Sequence, residues 1–269
     1  MNSIKHIVCV ASGKGGVGKS TTAVNLALAL AADNLRVGLL DADIYGPSIP
    51  LMLGVKKGTR PDIIDNKFIE PVRVHGLSCM SMGLLVDEST PMVWRAPMII
   101  SAFNQLLNDT LWGELDYLIV DMPPGTGDIQ LSLTQKAKVT GAVIVTTPQD
   151  VALLDARKGI EMFRKVNVPI LGVVENMSTY ICSSCGHEES IFGSGGGEIL
   201  SREYGVDVIG SLPLDKKIRE QTDNGVPLAI IDPGGKLDVA YRNLASSLKQ
   251  QVDELKGNEN APRISVSDD

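Results

Sequence analysis

The chain has 269 residues, of which 43% are hydrophobic, and it carries a formal net charge of −7. This length suffices for one large α/β domain or two small ones, and the acidic balance argues against a broad nucleic-acid surface. No apolar run approaches the roughly 18 residues of a membrane span, and the N-terminal apolar run is too short for a signal peptide. We therefore predict a soluble cytoplasmic protein, or one of an organelle matrix, with no nucleic acid and no membrane among its partners.

A glycine-rich loop near the start of the chain has the pattern of a phosphate-binding loop. It follows the apolar run 7–10 and precedes the Ala/Leu-rich run 23–32, so we expect it between a strand and a helix. The spacing Gly-x4-Gly-Lys-Ser is that of P-loops, whose backbone amides and helix N-terminus bind phosphates. We predict that Lys19 contacts the β/γ-phosphates and that the Ser20 hydroxyl ligates Mg²⁺. The predicted nucleotide-binding residues of the loop are Gly13, Lys14, Gly15, Gly16, Val17, Gly18, Lys19, Ser20 and Thr21.

Acidic residues follow two apolar runs that have the composition of buried strands. The first run, residues 36–40, leads to Asp41 and Asp43, and the second, residues 115–120, leads to Asp121. Carboxylates at the carboxyl ends of parallel strands project into the crevice where ligands bind. An apolar strand that ends in Asp is the Walker B arrangement, so Asp121 is predicted to hold Mg²⁺ through water. Asp41 and Asp43 are candidates for handling the metal or a hydrolytic water, although aspartates after strands also cap turns.

The remaining chain alternates between strand-like and helix-like runs. Residues 54–90 are less regular and look like an insertion that forms a hairpin or edge strands. The inner face of a helix over 150–166 is predicted to include Leu153, Leu154, Ile160, Met162 and Phe163. Further strands are predicted over 141–147, 169–174 and 208–212, and further helices over 99–107, 195–204 and 236–255.

This alternation predicts the fold class and the domain organisation. Strands that alternate with helices give an α/β fold with a doubly wound, mostly parallel sheet flanked by helices. Without an internal repeat or a clear linker, we predict a single domain over residues 1–256. Residues 257–269 are polar, contain proline and end in two aspartates, so a disordered acidic tail is expected there.

A Cys-x-x-Cys pair, Cys182 and Cys185, is a second candidate site. In a reducing compartment such a pair favours metal binding or catalysis over a structural disulfide, but zinc, a redox dithiol and an iron–sulfur cluster all fit it. Zinc and [4Fe–4S] sites generally need four protein ligands, and this segment offers two, with His187 as a candidate third. Cys9 is expected in the core, and Cys79 lies in the irregular region. The count therefore favours a site that two copies of the chain share across a two-fold axis.

Several motifs together resemble those of a known family. Lys14 follows the first glycine of the P-loop, and Trp-Arg-Ala-Pro-Met occupies residues 94–98. Asp-Met-Pro-Pro-Gly-Thr-Gly-Asp occupies residues 121–128, Glu-Asn-Met 175–177, and Cys-Ser-Ser-Cys-Gly 182–186. With these motifs the chain from about residue 5 to residue 256 resembles the Mrp/ApbC branch of the deviant Walker A P-loop ATPases, which also include MinD and ParA. Mrp/ApbC members usually have Gly at the position of Ala96 and Pro after the first cysteine, and many have an extra N-terminal domain.

The resemblance implies a function as well as a P-loop NTPase fold. Mrp/ApbC proteins bind ATP, hydrolyse it slowly, and carry a [4Fe–4S] cluster that is bridged across a homodimer. They transfer this cluster to apo-proteins, so iron–sulfur apo-proteins and assembly scaffold proteins are the implied partners. The implied cofactors are ATP, Mg²⁺ and the [4Fe–4S] cluster.

The resemblance also assigns roles to individual residues. In the family the lysine at position 14 reaches the nucleotide of the partner subunit, and Asp43 orients or activates the attacking water. Lys14, Lys19 and Asp43 are thus the implied catalytic residues. Asn176 contacts the adenine base, for which an amide offers a donor and an acceptor, and Pro213 lies against the same base. The implied metal ligands are Ser20, Asp41 and Asp121 for Mg²⁺, and Cys182 and Cys185 for the cluster.

Of three alternative functions, an electron-transfer reductase like the nitrogenase iron protein is disfavoured because the two cysteines are adjacent rather than far apart in sequence. Two others are consistent with the same residues. One is a nucleotide-switched dimer of the MinD/ParA kind, for positioning or partner binding, with zinc or no metal at the cysteine pair. The other is a zinc-bridged dimer whose assembly the nucleotide controls, because thiolates accept both zinc and iron. The last residues of the chain lack the basic face of a MinD-type membrane helix, which favours the cluster carrier.

Overall fold

The computed structural model describes residues 3–85, 95–182 and 184–259. The strands are β1 Ser3–Ala11, β2 Val37–Asp41, β3 Ile63–Ile64, β4 Phe68–Ile69, β5 Val72–Val74, β6 Leu77–Ser81, β7 Glu114–Asp121, β8 Gly141–Thr146, β9 Ile170–Glu175, β10 Tyr180–Ile181, β11 Glu188–Glu189 and β12 Val208–Ser211. The helices are α1 Lys19–Ala32, α2 Ile49–Met52, α3 Ala96–Asn108, α4 Asp128–Lys136, α5 Asp150–Lys165, α6 Gly196–Tyr204, α7 Lys216–Asn224, α8 Leu228–Ile231 and α9 Lys236–Glu259.

Two sequence predictions fall partly or wholly outside these residues. Trp94 of the Trp-Arg-Ala-Pro-Met motif lies outside the described residues, whereas the rest of that motif leads into α3. The predicted acidic tail begins at residue 257, but α9 continues to Glu259. Residues 260–269 of that tail also lie outside the described part of the chain.

The main sheet has eight strands in the order β12-β9-β8-β1-β7-β2-β6-β5. Every neighbouring pair in it is parallel except β5 and β6, which confirms the predicted doubly wound, mostly parallel sheet. From β1 the chain builds one half of the sheet through β2 and the other half through β8. The strand order therefore reverses beside β1, and the carboxyl ends of strands at such a reversal form the usual ligand crevice.

The prediction of a hairpin or edge strands for residues 54–90 is confirmed in part, because β5 and β6 pair as an antiparallel hairpin at one end of the main sheet. The strand β6 is not at an edge, because it pairs in parallel with β2 and all five of its residues are buried. The edge strand is β5, and Pro71, which has no backbone N–H to donate to a sheet, lies between β4 and β5. This region therefore contributes two strands, β6 and β5, to the main sheet.

Hydrophobic residues form a core layer on each face of the sheet. On one face Leu26 of α1 and Leu248 of α9 pack against strand residues. On the other face Phe103 of α3 and Phe163 of α5 do so. Full burial of such a side chain contributes about 1.5–3 kcal/mol, so the two layers hold the strand ends in fixed positions.

Two burial predictions have different outcomes. Cys9 is buried, as predicted. Leu154 was predicted to face inward from α5 but is 57% exposed. The reason is geometric, because Leu153, Ala156 and Ile160 define the buried stripe and Leu154 lies about 100° further round the helix. Among the described residues, no helix is long and apolar enough to cross a membrane.

Candidate functional site

The glycine-rich loop joins the end of β1 to the start of α1, as the sequence predicts. Gly16 and Gly18 have φ values of 81° and 84°, a region that residues with a side chain rarely adopt. Gly18 also has no room for a side chain, since a Cβ there would lie 2.1 Å from the side-chain nitrogen of Asn176. No side chain caps the N-terminus of α1, so its backbone amides and helix dipole are available to a bound phosphate.

A buried ion pair lies beside this loop. The Nζ atom of Lys19 is 2.6 Å from Oδ1 of Asp121, and the two side chains are 6% and 0% exposed. The same ammonium donates a hydrogen bond of 3.1 Å to the Ser20 hydroxyl. The second carboxylate oxygen, Oδ2 of Asp121, is buried and has no hydrogen-bond partner among the described residues. Burial raises the pKa of Asp121, while the charge of Lys19 opposes that rise.

These groups fit the Mg²⁺ that the sequence predicts. A buried carboxylate oxygen without a partner loses the free energy of hydration unless a cation or a donor reaches it. Asp121 and Ser20 both offer hard oxygen atoms, the ligands that Mg²⁺ prefers. The Lys19 ammonium donates hydrogen bonds to both of them, so the two groups lie close together.

Asp41 lies next to Asp121, because the two residues are paired in the parallel register of β2 and β7. Burial and, second, the negative charge of Asp121 raise the pKa of Asp41 to about 7. Both carboxylate oxygens of Asp41 already accept hydrogen bonds, which hold the loop after β2. The donors are the backbone amides of Asp43, Ser48 and Ile49 and the hydroxyl of Ser81, at 3.0–3.3 Å. The structure thus gives Asp41 a role in fixing this loop, and its contact with Mg²⁺ stays a prediction.

The two remaining predicted catalytic residues lie on the loops around this buried group. Asp43 is half-buried, accepts a hydrogen bond of 3.3 Å from the Gly46 amide, and adds to the raised pKa of Asp121 through its charge. Lys14 is also half-buried, and the Ser12 hydroxyl donates a hydrogen bond to its backbone carbonyl at 2.9 Å. The Lys14 ammonium makes no ion pair with any residue in the described ranges.

The loop after Asp121 is tied to the P-loop. The Gly125 amide donates a hydrogen bond of 3.0 Å to the carbonyl of Ser12. Gln130, in the first turn of α4, donates through its side chain to the carbonyl of Pro124 at 2.7 Å. Gly125 has a φ of 100°, so a small backbone rotation there can move the loop relative to the P-loop.

Asn176 and Pro213 line one cleft beside the P-loop. The cleft has a volume of about 190 Å³ and is also lined by Gly18, Thr21 and Met177. The Asn176 side chain is buried and donates a hydrogen bond of 2.8 Å to the carbonyl of Val17. The structure therefore brings the two predicted adenine-contacting residues together next to the phosphate loop.

The cysteine pair lies at the end of a hairpin formed by β10 and β11. Cys182 is half-buried, Cys185 is exposed, and neither forms a disulfide. Hydrogen bonds from the backbone amides of Cys185 and Ser184 lower the pKa of Cys182, because they stabilise its thiolate. Among the described residues no three His, Cys, Asp or Glu side chains converge as a metal site, so His187 does not complete one with the cysteines.

Hydrogen bonds connect this hairpin to the nucleotide cleft. The Ser178 amide and hydroxyl both donate to the carbonyl of Leu212, at 3.0 and 3.1 Å. The Leu214 amide donates to the carbonyl of Thr179 at 2.7 Å. Because Pro213 lies between Leu212 and Leu214, one short segment both lines the cleft and supports the base of the hairpin.

Two residues of the site had no role in the sequence prediction. Ser81, whose hydroxyl holds Asp41, lies 40 positions away in a region that reads as an insertion, so no local signal identifies it. Gln130 lies three positions after the Gly-Thr-Gly stretch. A polar side chain at the start of a helix that follows a glycine-rich loop is only a weak indication that it contacts that loop.

Comparison with known proteins gives consistent results. The family model described as ParA, NUBPL iron-transfer P-loop NTPase, matches residues 3–249. The iron-sulfur cluster carrier protein of Pseudomonas fragi is 63% identical over 243 residues, which cover 90% of this chain and 85% of that relative.

Solved structures show the same relationship. The nucleotide-binding protein of Archaeoglobus fulgidus, in complex with ADP, has a TM-score of 0.73 and 39% identity over 82% of this chain and 87% of its own. The cell division ATPase MinD of Pyrococcus furiosus has a TM-score of 0.68 and 22% identity, over 91% of this chain and 99% of its own. At that identity the MinD similarity shows the fold alone.

Proposed function

Because the chain belongs to the family of NUBPL iron-transfer P-loop NTPases, we propose that it binds and hydrolyses ATP and carries a [4Fe–4S] cluster to apo-proteins. The observation that carries this proposal is the hydrogen-bonded connection from the nucleotide cleft to the hairpin of Cys182 and Cys185. A nucleotide site and an exposed pair of thiols are joined by one short segment. The name of the Pseudomonas fragi relative supports the same function.

In this proposal the P-loop and the cleft bind ATP. The amides of residues 13–21 and the ammonium of Lys19 bind the phosphates, and Asn176 and Pro213 contact the adenine. To reach a phosphate, Lys19 has to weaken its ion pair with Asp121. That exchange leaves the Asp121 carboxylate for the ion, so nucleotide and metal are expected to bind together.

Hydrolysis then depends on the loops that carry Asp43 and Gly125. Ser20 and Asp121 would hold Mg²⁺, with Asp41 nearby, and the ion neutralises charge that develops on the phosphates. Asp43 orients or activates the attacking water from the loop that Asp41 fixes. Loss of the γ-phosphate releases these loops. The hydrogen bonds that the P-loop makes with Gly125 and Asn176 then couple the loop movement to the rest of the site.

The cluster is cargo that two chains share. Each chain offers two thiols on an exposed hairpin, and hydrogen bonds from the amides of Cys185 and Ser184 lower the pKa of Cys182 and so favour its thiolate, the form that ligates a metal. Four thiolates from two chains meet the ligand number of a [4Fe–4S] cluster. A homodimer is therefore the proposed carrier, with apo-proteins and assembly scaffolds as its partners.

The decisive experiment is anaerobic reconstitution with iron and sulfide, followed by visible absorption and metal analysis. Wild type is expected to hold about four irons per dimer, and the double variant Cys182→Ala/Cys185→Ala none. His187→Ala is the matched control on the same hairpin and is expected to bind iron like wild type. A colourless wild type that holds zinc, or no metal, would refute the carrier function and support a nucleotide-switched dimer.

ATP hydrolysis is tested separately at Asp43. Asp43→Asn is expected to bind ATP but to lose most of its hydrolysis, since the amide cannot accept a proton from water. Asp62→Asn, at an exposed aspartate outside the site, is the matched control and should hydrolyse ATP like wild type. Full activity of Asp43→Asn would remove Asp43 from the mechanism.

A further inference from the structure

Glu175, the last residue of β9, carries a buried carboxylate that the proposed mechanism does not use. Its side chain is 6% exposed, and its Oε2 atom accepts a hydrogen bond of 2.5 Å from the backbone amide of Gly197. Gly197 lies in the first turn of α6, the helix that the chain enters after the cysteine hairpin. A carboxylate at this depth needs a strong donor, because burying an unpaired charge is very unfavourable.

Helix α6 depends on this contact because it has no cap of its own. Its N-cap residue is Gly195, which has a φ of 76° and no side chain to accept a hydrogen bond. Glu175, 22 positions earlier, provides the missing acceptor and places a negative charge at the positive end of the helix dipole. A Cβ on Gly196 would lie 2.9 Å from the Pro148 Cα atom, so the turn is packed closely against neighbouring backbone.

The next residue, Asn176, makes a different contact on the other side of the strand. Its side chain donates a hydrogen bond of 2.8 Å to the carbonyl of Val17 in the P-loop. Successive side chains of a strand point to opposite faces of a sheet. The end of β9 therefore holds the P-loop through one residue and the start of α6 through the preceding one.

We propose that Glu175 is a positioning residue that transmits the state of the nucleotide site to Cys182 and Cys185. The cysteines lie within residues 176–195, which leave β9 at one end and reach α6 at the other. Hydrogen bonds to Leu212 and Leu214 fix the outgoing end, and the Glu175–Gly197 contact fixes the returning end. The Leu212 amide in turn donates a hydrogen bond of 2.9 Å to the carbonyl of Glu175, so both ends of the segment are held at the end of β9, next to Asn176 and its contact with the P-loop. This inference rests on the proposed function, since it explains how ATP alters the cysteines that carry the cluster.

The test measures the alkylation rate of the two cysteines in the full chain, with and without a non-hydrolysable ATP analogue and Mg²⁺. Cys9 and Cys79 are buried, so they do not contribute to the rate in the folded protein. In wild type the analogue is expected to change the rate about fivefold, a typical coupling between sites. Glu175→Ala should reduce this ratio to about one while nucleotide affinity stays within about twofold. Glu175→Gln, whose amide oxygen still accepts from Gly197, should keep most of the ratio.

Controls separate positioning from general stability. Glu198→Gln removes an exposed carboxylate from the same turn of α6 and should leave the ratio at the wild-type value. Should Glu175→Ala not fold, Glu175→Asp replaces it, because its shorter side chain cannot reach Gly197. The proposal would be overturned if the Glu175 variant kept the wild-type ratio of alkylation rates and only melted at a lower temperature. It would also be overturned if the alkylation rate of wild type did not change with the nucleotide analogue.

The alkylation assay does not require a cluster, so the two proposals fail in different ways. A wild type that binds no iron but alkylates at a nucleotide-dependent rate would refute the carrier function and support the role of Glu175. A wild type that binds about four irons per dimer, with a ratio unchanged in Glu175→Ala, would support the carrier function and overturn the role of Glu175.

Discussion

Three ionisable side chains are buried together beside the P-loop: Lys19, Asp41 and Asp121. One ammonium faces two carboxylates, so full ionisation would leave an excess negative charge in a region of low dielectric. The structure reduces this charge in two ways, because Lys19 pairs with Asp121 and the pKa of Asp41 is raised to about 7. This excess negative charge would also favour the divalent cation that we propose for this place.

The ion pair leads to a prediction about Lys19. Lys19→Met leaves Asp121 buried without its partner, and breaking such a pair costs about 3–5 kcal/mol. The variant should therefore lose stability as well as ATP binding, in urea unfolding and nucleotide titration. The double variant Lys19→Met/Asp121→Asn removes both charges and should recover most of the stability without recovering ATP binding. Equal stability of Lys19→Met and wild type would contradict the buried pair.

The raised pKa of Asp41 predicts a pH dependence of stability. The folded pKa of about 7 lies above the ordinary value of 3.8, so between these pH values the folded chain holds a proton that the unfolded chain releases. Stability from this group is therefore complete below pH 4 and falls as pH rises to 7, by up to about 1.4 kcal/mol per pH unit. Burial raises the pKa of Asp121 as well, which adds a slope of the same sign.

Urea unfolding of the metal-free and nucleotide-free chain at several pH values between 4 and 8 measures this slope. Asp41→Asn cannot titrate at this position, so its free energy of unfolding should depend less steeply on pH than that of wild type. The difference between the two proteins should grow as pH rises toward 7, because the neutral amide resembles the protonated Asp41 carboxyl and only wild type is penalised for the buried charge. Parallel curves for the two proteins would show that Asp41 does not carry the shifted titration.

Among the elements, the turn between β10 and β11 controls the chemistry of the first cysteine. Gly186 has a φ of 72°, and its amide donates a hydrogen bond of 2.9 Å to the carbonyl of Cys182. Gly186→Ala forces a side chain into this left-handed conformation at a cost of about 1–2 kcal/mol, which favours an opened turn. The amides that lower the pKa of Cys182 would then lie further from its sulfur.

We therefore expect Gly186→Ala to shift the pH midpoint of Cys182 alkylation upward, toward the ordinary thiol value. The measurement uses Cys185→Ala as the background, so that Cys182 is the reactive thiol on the hairpin. The control is Gly76→Ala, at a glycine with a φ of 80° that lies outside the hairpin, and it should leave the midpoint unchanged. An unchanged midpoint in Gly186→Ala would mean that the turn does not set the pKa.

At this scale the sequence predicted what depends on local chemistry. The P-loop was predictable because glycine spacing and the flanking apolar runs are contiguous, and the same holds for the strands that end at Asp41 and Asp121. The place of β6 was not, because its neighbour in the sheet is β2, about 40 residues earlier, and only the folded chain brings Ser81 to Asp41. Leu154 shows a second limit of sequence-based prediction. An apolar residue that neighbours a buried helix face cannot be distinguished by sequence from the residues of that face.

In the whole molecule, the parallel sheet brings segments that are distant in sequence together at the carboxyl ends of its strands. The P-loop, the loops after β2 and β7, the end of β9 and the segment after β12 all follow the carboxyl ends of parallel strands. Sequence motifs could place each segment at a strand end, and the doubly wound fold then implies that they meet. The direct ties between them, from Asn176 to the P-loop and from Glu175 to α6, could not be predicted, because they are side-chain contacts across the sheet.

The arrangement of Lys14 predicts a role between two molecules. Its ammonium has no ion-pair partner among the described residues of its own chain, although it lies on the P-loop, the proposed nucleotide-binding loop. A cation so placed can reach the phosphates of a nucleotide on a second chain, like the charge that an arginine finger supplies in trans. Lys14→Ala should then bind ATP with affinity within about threefold of wild type and hydrolyse it at least about tenfold more slowly.

The role of Lys14 between two chains can also be tested by measuring molecular mass. Light scattering in the presence of Mg²⁺ and a non-hydrolysable ATP analogue reports whether the protein is a monomer or a dimer. Wild type should approach the mass of a dimer as its concentration rises, whereas Lys14→Ala should stay a monomer at those concentrations. Lys138→Ala removes an exposed lysine far from the P-loop and should dimerise like wild type. In the proposed shared site each chain supplies two of the four ligands, so a Lys14→Ala chain that cannot pair should also load less iron. If Lys14→Ala still dimerises with the analogue, Lys14 does not bridge the two chains and contacts the nucleotide of its own chain. Dimerisation would then depend on other contacts, such as the proposed shared cluster.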